Sequence, residues 1–486
     1  MPRHLCDRTA AQRALCVLGL LMGLPAGAGA QDAPSWEVAR ARLESRLPAL
    51  LDSGGVPGMA IGIVRGGEVR WTRGFGVRRS GSMEPVDENT VFEAASLSKP
   101  VIAYAALRLV DRGVLDLDRP LAEILPLPGL ANDSAARRIT ARMVLSHTTG
   151  LPNEAPGAPV ALAFTPGSGF RYSGEGYAYL GQVLERLAGT SLEALLQREV
   201  FVPLGMRRSA FTWQPDFDAN AATGHDGYGT PLPARRPAQA RAPSSLQTTA
   251  ADYARFLLAL TSGAGLGPAV RGIALTGQVA AAEGVEWGLG WSIERVGGRR
   301  IAWHHGDNSN TGFTALAMLD PGSGDAVVFF ANSTTGLGIA AAVLQGLPGP
   351  LAGPHPALDW IGYEAYDAPT RRLRLALERK IREEGVEAGV RLYRTAKAES
   401  PAGWFPETLL NSLGYRFLAL GRAADAVALF ELNVAAFPAS ANAYDSLGDG
   451  LAAAGQTERA IRSYQRSLDL DPRNSHAVEM IARLRR

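Results

Sequence analysis

The residues best suited to chemistry lie in Ala94-Ala95-Ser96-Leu97-Ser98-Lys99-Pro100. Of the 49 basic residues in the 486-residue chain, only Lys99, Lys380 and Lys397 are lysines, and Lys99 is the only one between Met1 and Arg379. Arginine keeps its charge at any pH a protein meets. A buried lysine can release its proton and act as a base. Ser96 precedes Lys99 by three residues, a spacing that puts hydroxyl and amine on one face of a helix. Pro100 is tolerated only in a first turn, which predicts a helix start close to Ser96 and free N–H groups beside the hydroxyl.

A second base or proton relay is expected at Tyr172, in the run Phe170-Arg171-Tyr172-Ser173-Gly174-Glu175-Gly176-Tyr177. A phenol beside a lysine cation has its pKa lowered, which would bring phenolate within reach. The competing reading is a core tyrosine with a satisfied hydroxyl. Trp303-His304-His305-Gly306-Asp307-Asn308 reads as a strand. Neighbouring strand residues point to opposite faces, so His304 and His305 do not share a metal. His304 is expected to face a cleft, with Gly306 admitting a substrate backbone. His147, in Ser146-His147-Thr148-Thr149-Gly150-Leu151-Pro152, is read as positioning a loop, with catalysis the lesser alternative and no second ligand at metal spacing. Neither a G-x-S-x-G elbow nor an H-E-x-x-H zinc motif occurs.

These groups need a scaffold. Apolar spacing predicts a helix over Trp36 to Leu51 and a hairpin of Met59 to Val64 with Val69 to Trp71 around Gly66-Gly67. A third strand-like run surrounds Phe75 to Val77. Val101 to Val110 is nearly all apolar and reads as a core helix carrying the Ser96 turn. A further helix is expected at Tyr179 to Leu187, and strands at Trp287 to Ile293 and Ala326 to Asn332. Arg235, Arg236 and Arg241 read as a solvated loop.

The first 30 residues carry Arg3, Arg8 and Arg13, an apolar run from Ala14 to Leu24, and Ala28-Gly29-Ala30 before Gln31. This pattern predicts a secretory signal peptide over 1–30 and a secreted or periplasmic product, with no membrane span after signal removal. Cys6 and Cys16 both fall inside it, so the remainder has no thiol for a disulfide or a metal. Setting aside that segment's three arginines and one aspartate leaves the charges balanced, which argues against nucleic-acid binding. Neither a cofactor nor a metal is implied.

Pro and Gly density from Leu347 to Pro356 marks an expected domain boundary. Beyond it, Leu413-Gly414, Gly421, Ala426, Phe430 and Pro438 recur 34 residues later as Leu447-Gly448, Gly455, Ala460, Tyr464 and Pro472. That period is the signature of tetratricopeptide helix pairs. Leu373 to Ala396, broken at Gly385, reads as an irregular first pair. The expected domains are a unit carrying the Ser96 site over 31–350, a linker and helical segment over 351–405, and repeats over 406–486 offering a surface to a protein or peptide partner.

Residues from about 55 to 345 resemble the serine β-lactamase-like family of penicillin-binding proteins, class C β-lactamases, D-aminopeptidases and related esterases. The family's Ser-x-x-Lys stands at Ser96 to Lys99, its Tyr-x-Asn at Tyr172-Ser173-Gly174, and its Lys-Thr-Gly or His-x-Gly at His304-His305-Gly306. Ser146 to Leu151 and Trp287-Gly288-Leu289-Gly290-Trp291 also look like this family. The resemblance implies an α+β fold: an antiparallel sheet flanked by helices, an all-helical subdomain carrying Tyr172, and a cleft between them. It implies that Lys99 and Tyr172 take the proton from Ser96, that an acyl-enzyme forms and is hydrolysed, and that the N–H groups of Ser96 and Asp307 make the oxyanion hole.

Two departures bear on substrate. Gly174 replaces an Asn that contacts acylamides, and His304 replaces a Lys that helps hold a substrate carboxylate. An ester or a D-amino-acid amide or peptide is therefore the expected substrate. The alternatives are a β-lactamase or D,D-peptidase acting on cell-wall-like substrates, and an inactive hydrolase scaffold with protein-binding repeats. Intact Ser96, Lys99 and Tyr172 favour an enzyme over a scaffold.

Overall fold

The computed structural model describes residues 36–154, 159–400 and 405–486; the expected signal segment, 1–30, lies outside the described residues. Helix α1 (Trp36–Gly54) buries Ala39, Leu43, Leu47, Leu50 and Leu51, the helical spacing read from sequence. Strands β1 (Gly58–Arg65) and β2 (Glu68–Gly76) form the expected hairpin. Its turn residues Gly66 and Gly67 have φ of 65° and 78°, a conformation that favours glycine at both positions. The strand expected at Phe75 to Val77 is the end of β2, because pairing with β1 continues to Gly76.

The chain then leaves the sheet for a helical region. It includes α2 (Ser98–Asp111), α3 (Gly174–Ala188) and α4 (Ala250–Ser262). It returns as β3 (Val279–Ala282), β4 (Val285–Trp287), β5 (Ser292–Val296), β6 (Arg299–Asn308), β7 (Phe313–Leu319) and β8 (Ala326–Ala331). The single strand expected over Trp287 to Ile293 is thus two strands, joined by a turn in which Gly288 N–H donates to Trp291 O at 2.7 Å. The main sheet is eight-stranded and antiparallel, in the order β2-β1-β8-β7-β6-β5-β4-β3.

Alternation along the strands divides the interior in two. Ala302, Ala315, Ala317, Leu319, Val328 and Phe330 pack with α2 and α4 on one face. Ile301, Trp303, Leu316, Met318, Val327 and Phe329 pack with α1 on the other. β7 and β8 are buried throughout because both faces are covered.

The boundary expected at residue 350 falls inside this unit. The second core continues through Leu351 and Ala357 to Leu358, Trp360, Ile361, Tyr363 and Tyr366. Helix α5 (Pro356–Ile361) is anchored by Glu294 on β5, whose carboxylate accepts from Ala357 N–H at 2.7 Å and pairs with His355 Nδ1 at 2.7 Å. The Arg371 guanidinium donates to Gly54 O at 2.7 Å. Gly and Pro density marked loops here, but the apolar residues between them belong to the second core of the sheet.

Helices α6 (Pro369–Glu384) and α7 (Val386–Glu399) are followed by α8 (Glu407–Ala419), α9 (Ala423–Ala436), α10 (Ala441–Ala453), α11 (Thr457–Leu470) and α12 (Ser475–Leu484). The 34-residue period has a packing cause. A Cβ at Gly414 would lie 2.4 Å from the Phe430 ring, and one at Gly448 2.5 Å from the Tyr464 ring. Small residues let paired helices close over an aromatic. The helical region is tied to the sheet-bearing unit through Arg416 on α8. It donates to Thr230 Oγ1 at 2.7 Å and lies over the Tyr228 ring, 4.7 Å from its centroid.

Candidate active site

Ser96 lies in a 3₁₀ turn, Ala95–Leu97, and α2 begins at Ser98 rather than at Ser96. The i, i+3 reach survives this change: Lys99 Nζ donates to Ser96 Oγ at 3.0 Å. Ala95 has a φ of +49°, a left-handed conformation that costs an alanine about 1–2 kcal/mol. Neighbours hold it there. Ser98 Oγ donates to Ala95 O at 2.6 Å and accepts from Leu246 N–H at 3.0 Å, while Tyr253 Oη donates to Leu97 O at 3.0 Å. Ser98 is fully buried in that role, which leaves half-buried Ser96 as the hydroxyl facing the cleft.

Lys99 is 2% exposed, and its amine also donates to Pro243 O at 3.0 Å. Burial lowers its pKa from 10.5 to about 7, opposed by the negative charge of Glu154. The amine is therefore substantially neutral near pH 7.

Tyr172 precedes Ser173, which caps α3 by accepting from Gly176 N–H at 2.9 Å. The expectation of a lowered phenol pKa is overturned. Burial is the largest influence and raises it well above its ordinary value, with Ser96 opposing the rise. Lys99 Nζ lies 4.8 Å from the ring centroid, so it faces the π cloud. Ser96 is near enough to affect the Tyr172 hydroxyl, yet that hydroxyl makes no hydrogen bond of good geometry. His147 holds this segment: its Nδ1 accepts from Ser173 N–H at 3.0 Å and its ring stacks on Tyr172 at 4.3 Å. His147 is fully buried and its pKa is well below 6.5, from burial first and Lys99 second.

His304 and His305 take opposite faces, as adjacent strand residues must. His304 is fully buried behind Tyr172, with ring centroids 6.0 Å apart, and does not reach the cleft surface. Its Nδ1 donates to His305 O at 2.7 Å, while Nε2 has no partner. Burial, then the neighbouring His305 and Lys99, keep it neutral by lowering its pKa well below 6.5. His305 lies against Trp303 and Trp360 on the other face, and burial takes its pKa down to about 4.

Gly306 does not open room for a substrate backbone either. A Cβ there would lie 2.5 Å from Ala94 O, so its small size seats the Ser96 turn against β6 and brings Asp307 beside it. A Cβ at Gly174 would likewise lie 2.4 Å from Asn153 O. The missing side chain lets the loop after Pro152 close on α3, and an Asn would not fit without a shift.

Several contributors carried no clear sequence signal. Glu154, Glu175, Arg235, Arg241, Ser244 and Asp307 help line a polar cavity of about 640 Å³ between the start of α3 and the end of β6. Arg235 is not in a solvated loop. It pairs with buried Glu93 at 2.6 Å, and Glu93 also accepts from Asn308 Nδ2. Arg236 does lie outside, on Asp218. Tyr363 Oη donates to the Asp307 carboxylate, and Trp360 packs on Trp303 at 5.5 Å and Trp287 at 6.1 Å. Trp287 in turn packs edge-on against Tyr172 at 5.6 Å. Glu154 and Glu175 could have been noticed as acids adjoining the motif runs; nothing in sequence links Tyr363 to a strand 56 residues away.

A serine and a half-deprotonated lysine across a helical subdomain and an antiparallel sheet define a serine-hydrolase architecture. Residues 41–345 match the Beta-lactamase family model, and the chain belongs to that family. Among curated relatives, it is 27% identical to penicillin-binding protein 4 of Amycolatopsis lactamdurans over 350 residues, 64% of this chain and 90% of that protein. It is 32% identical to esterase EstB of Burkholderia gladioli over 240 residues, 42% of this chain and 60% of that protein. Its fold is similar to that of a class C β-lactamase (TM-score 0.58, 20% identity, 65% of this chain and 98% of that one). It is also similar to the D-alanine carboxypeptidase AmpC of Burkholderia cenocepacia (TM-score 0.56, 21% identity, 64% and 99%). The protein is a serine hydrolase of this family. Among the described residues, no helix is long and apolar enough to cross a membrane.

Proposed function

We propose that Ser96 is the nucleophile, Lys99 its general base and Tyr172 a neutral proton relay, acting on an ester or a D-amino-acid amide or peptide. The carrying observation is a lysine amine 3.0 Å from Ser96 Oγ with its pKa at about 7. Neutral Lys99 takes the hydroxyl proton as Oγ bonds to the substrate carbonyl carbon. The N–H groups of Ser96 and Asp307 receive the oxyanion. The Tyr172 phenol, kept protonated by burial, hands its proton to the leaving group as the carbonyl–heteroatom bond breaks, and Lys99 reprotonates it. Water then cleaves the acyl-enzyme by the reverse proton path.

Two features support an ester or small amide over a lactam. The position of the carboxylate-binding lysine is taken by neutral, buried His304. At Gly174, the backbone of Asn153 occupies the space an acylamide-binding side chain would need. Residues 1–30 support a secreted or periplasmic location, and the 34-residue helix pairs support tetratricopeptide-type repeats that bind a protein or peptide.

The test is fluorophosphonate labelling with peptide mass mapping. Label on Ser96, lost in Ser96→Ala, is expected; label on Ser98 would overturn the assignment.

A further inference from the structure

Strand β6 is held unevenly along its length. Its pairing with β5 ends at Trp303, opposite Ser292, whereas its pairing with β7 runs on to Asn308. His304 to Asn308 therefore have a strand on one side only. Asp307, whose N–H is read above as the second oxyanion donor, lies in this half-held stretch. A donor of this kind must keep its aim to within about 0.5 Å.

Side chains supply the missing hold. Asn308 Nδ2 donates to buried Glu93, and the Asp307 carboxylate accepts from Ser309 Oγ at 2.6 Å and from Tyr363 Oη. Ser309 is exposed and stands two residues along the same stretch, so it cannot fix Asp307 to the rest of the fold. Tyr363 comes from another element and is anchored on both sides. Before it, α5 is fixed by Glu294, and Trp360 packs on Trp303. After it, Glu364 accepts from Thr370 Oγ1 and Arg374 Nη2, each at 2.6 Å, and Tyr366 N–H donates to Gly338 O at 3.0 Å. Burial first, then the Asp307 charge, raises the Tyr363 pKa, so the phenol keeps the proton it donates. Residues 356–366 lie beyond the 41–345 family match, so this support comes from the chain's own continuation.

We propose that Tyr363 is a positioning residue: by holding the Asp307 carboxylate it aims the Asp307 N–H at the oxyanion formed when Ser96 attacks. The inference rests on the serine-hydrolase reading above. Tyr363 touches no reacting atom and acts only through Asp307. Removing its hydroxyl leaves the N–H in place but frees the end of β6 to drift. A displacement of about 1 Å at a catalytic group can cost about 100-fold.

The test uses the full chain and an uncharged alkyl fluorophosphonate. The probe forms a bond from Ser96 Oγ to phosphorus as fluoride leaves and the serine proton passes to Lys99, and its phosphoryl oxygen takes the oxyanion's place. In Tyr363→Phe the maximal inactivation rate, kinact, should fall about 10- to 100-fold while the half-saturating concentration, KI, stays unchanged. The rise of kinact with pH through about 7, set by Lys99, should not move. Adding Tyr363→Phe to Asp307→Ala should cost nothing further, since the two act on one bond. Asp307→Asn keeps an oxygen for Tyr363 and should lose less than Asp307→Ala. An unchanged kinact in Tyr363→Phe, with Ser96 still labelled, overturns the positioning role and leaves the nucleophile assignment standing. A pH limb that moves towards 10.5 shows that the variant loosened the packing around Lys99, and a loss additive to that of Asp307→Ala shows that Tyr363 acts by another route; either overturns the inference. If Tyr363→Phe fails to fold by circular dichroism, equal losses in Asp307→Asn and Asp307→Ala overturn it instead. Failure of the probe to label Ser96 in the wild type removes the serine reading and this inference with it.

Discussion

Replacing Lys99 by methionine should change stability in a way that depends on pH. Burial takes the amine from 10.5 to about 7. Between those values the unfolded chain holds a proton that the folded protein has released, so wild-type stability rises with pH across that window. At about 1.4 kcal/mol per pH unit, the penalty on the wild type reaches roughly 5 kcal/mol at and below pH 7 and vanishes near pH 10.5. Methionine has similar length and no proton to lose. Relative to wild type, Lys99→Met should therefore gain stability as pH falls, by roughly 3 kcal/mol from pH 9 to pH 7. Loss of the bonds to Ser96 and Pro243 adds an offset that does not vary with pH, so the slope is the test. Urea unfolding of both proteins at several pH values, followed through buried Trp287, Trp291 and Trp303, measures it. A stability difference independent of pH would refute the depressed pKa and, with it, the neutral amine that the mechanism requires.

Other consequences can be measured separately. kcat/KM on a neutral p-nitrophenyl ester should rise with pH through about 7 as Lys99 loses its proton; because Glu154 raises that pKa, Glu154→Gln should move the limb to lower pH, and an unmoved limb would contradict their coupling. Lys99→Arg should fold, by circular dichroism, yet lose about 10²–10⁴-fold in kcat/KM, since arginine keeps its proton. Gly306→Ala should push Ala94 O away from β6, destabilise the protein by about 1–3 kcal/mol and lower kcat; unchanged turnover and thermal midpoint would show that the turn adapts freely. A chain ending at Leu351 should be insoluble or inactive, because it leaves buried Glu294 without His355 and Ala357 and β6 without Trp360 and Tyr363. Soluble, active protein from that truncation would show that the segment through Tyr366 is dispensable.

Much of the fold was legible because its signals are local. The β1–β2 turn needed two glycines, the middle of α2 was nearly all apolar, and the 34-residue period repeated the small residues over which helices cross. The misreadings arose where a local pattern had two tertiary outcomes. Gly306 was read as room for a ligand, but the space belongs to Ala94 O. Leu347 to Pro356 was read as a boundary, but Leu351 and Ala357 are core residues.

The sequence by itself determined the chemical groups and their reach: a lysine three residues after a serine and the only lysine before Lys380, a tyrosine in the Phe170 to Tyr177 run, and the strand alternation that separates His304 from His305. The tertiary structure decided their protonation. The same burial that brings Lys99 towards neutrality keeps the Tyr172 phenol protonated, reversing the expectation from a nearby cation. It also decided which distant residues surround them, from Glu93 and Arg235 to Trp360 and Tyr363. Desolvation depends on what packs around a group from every side, and no spacing along the chain encodes that.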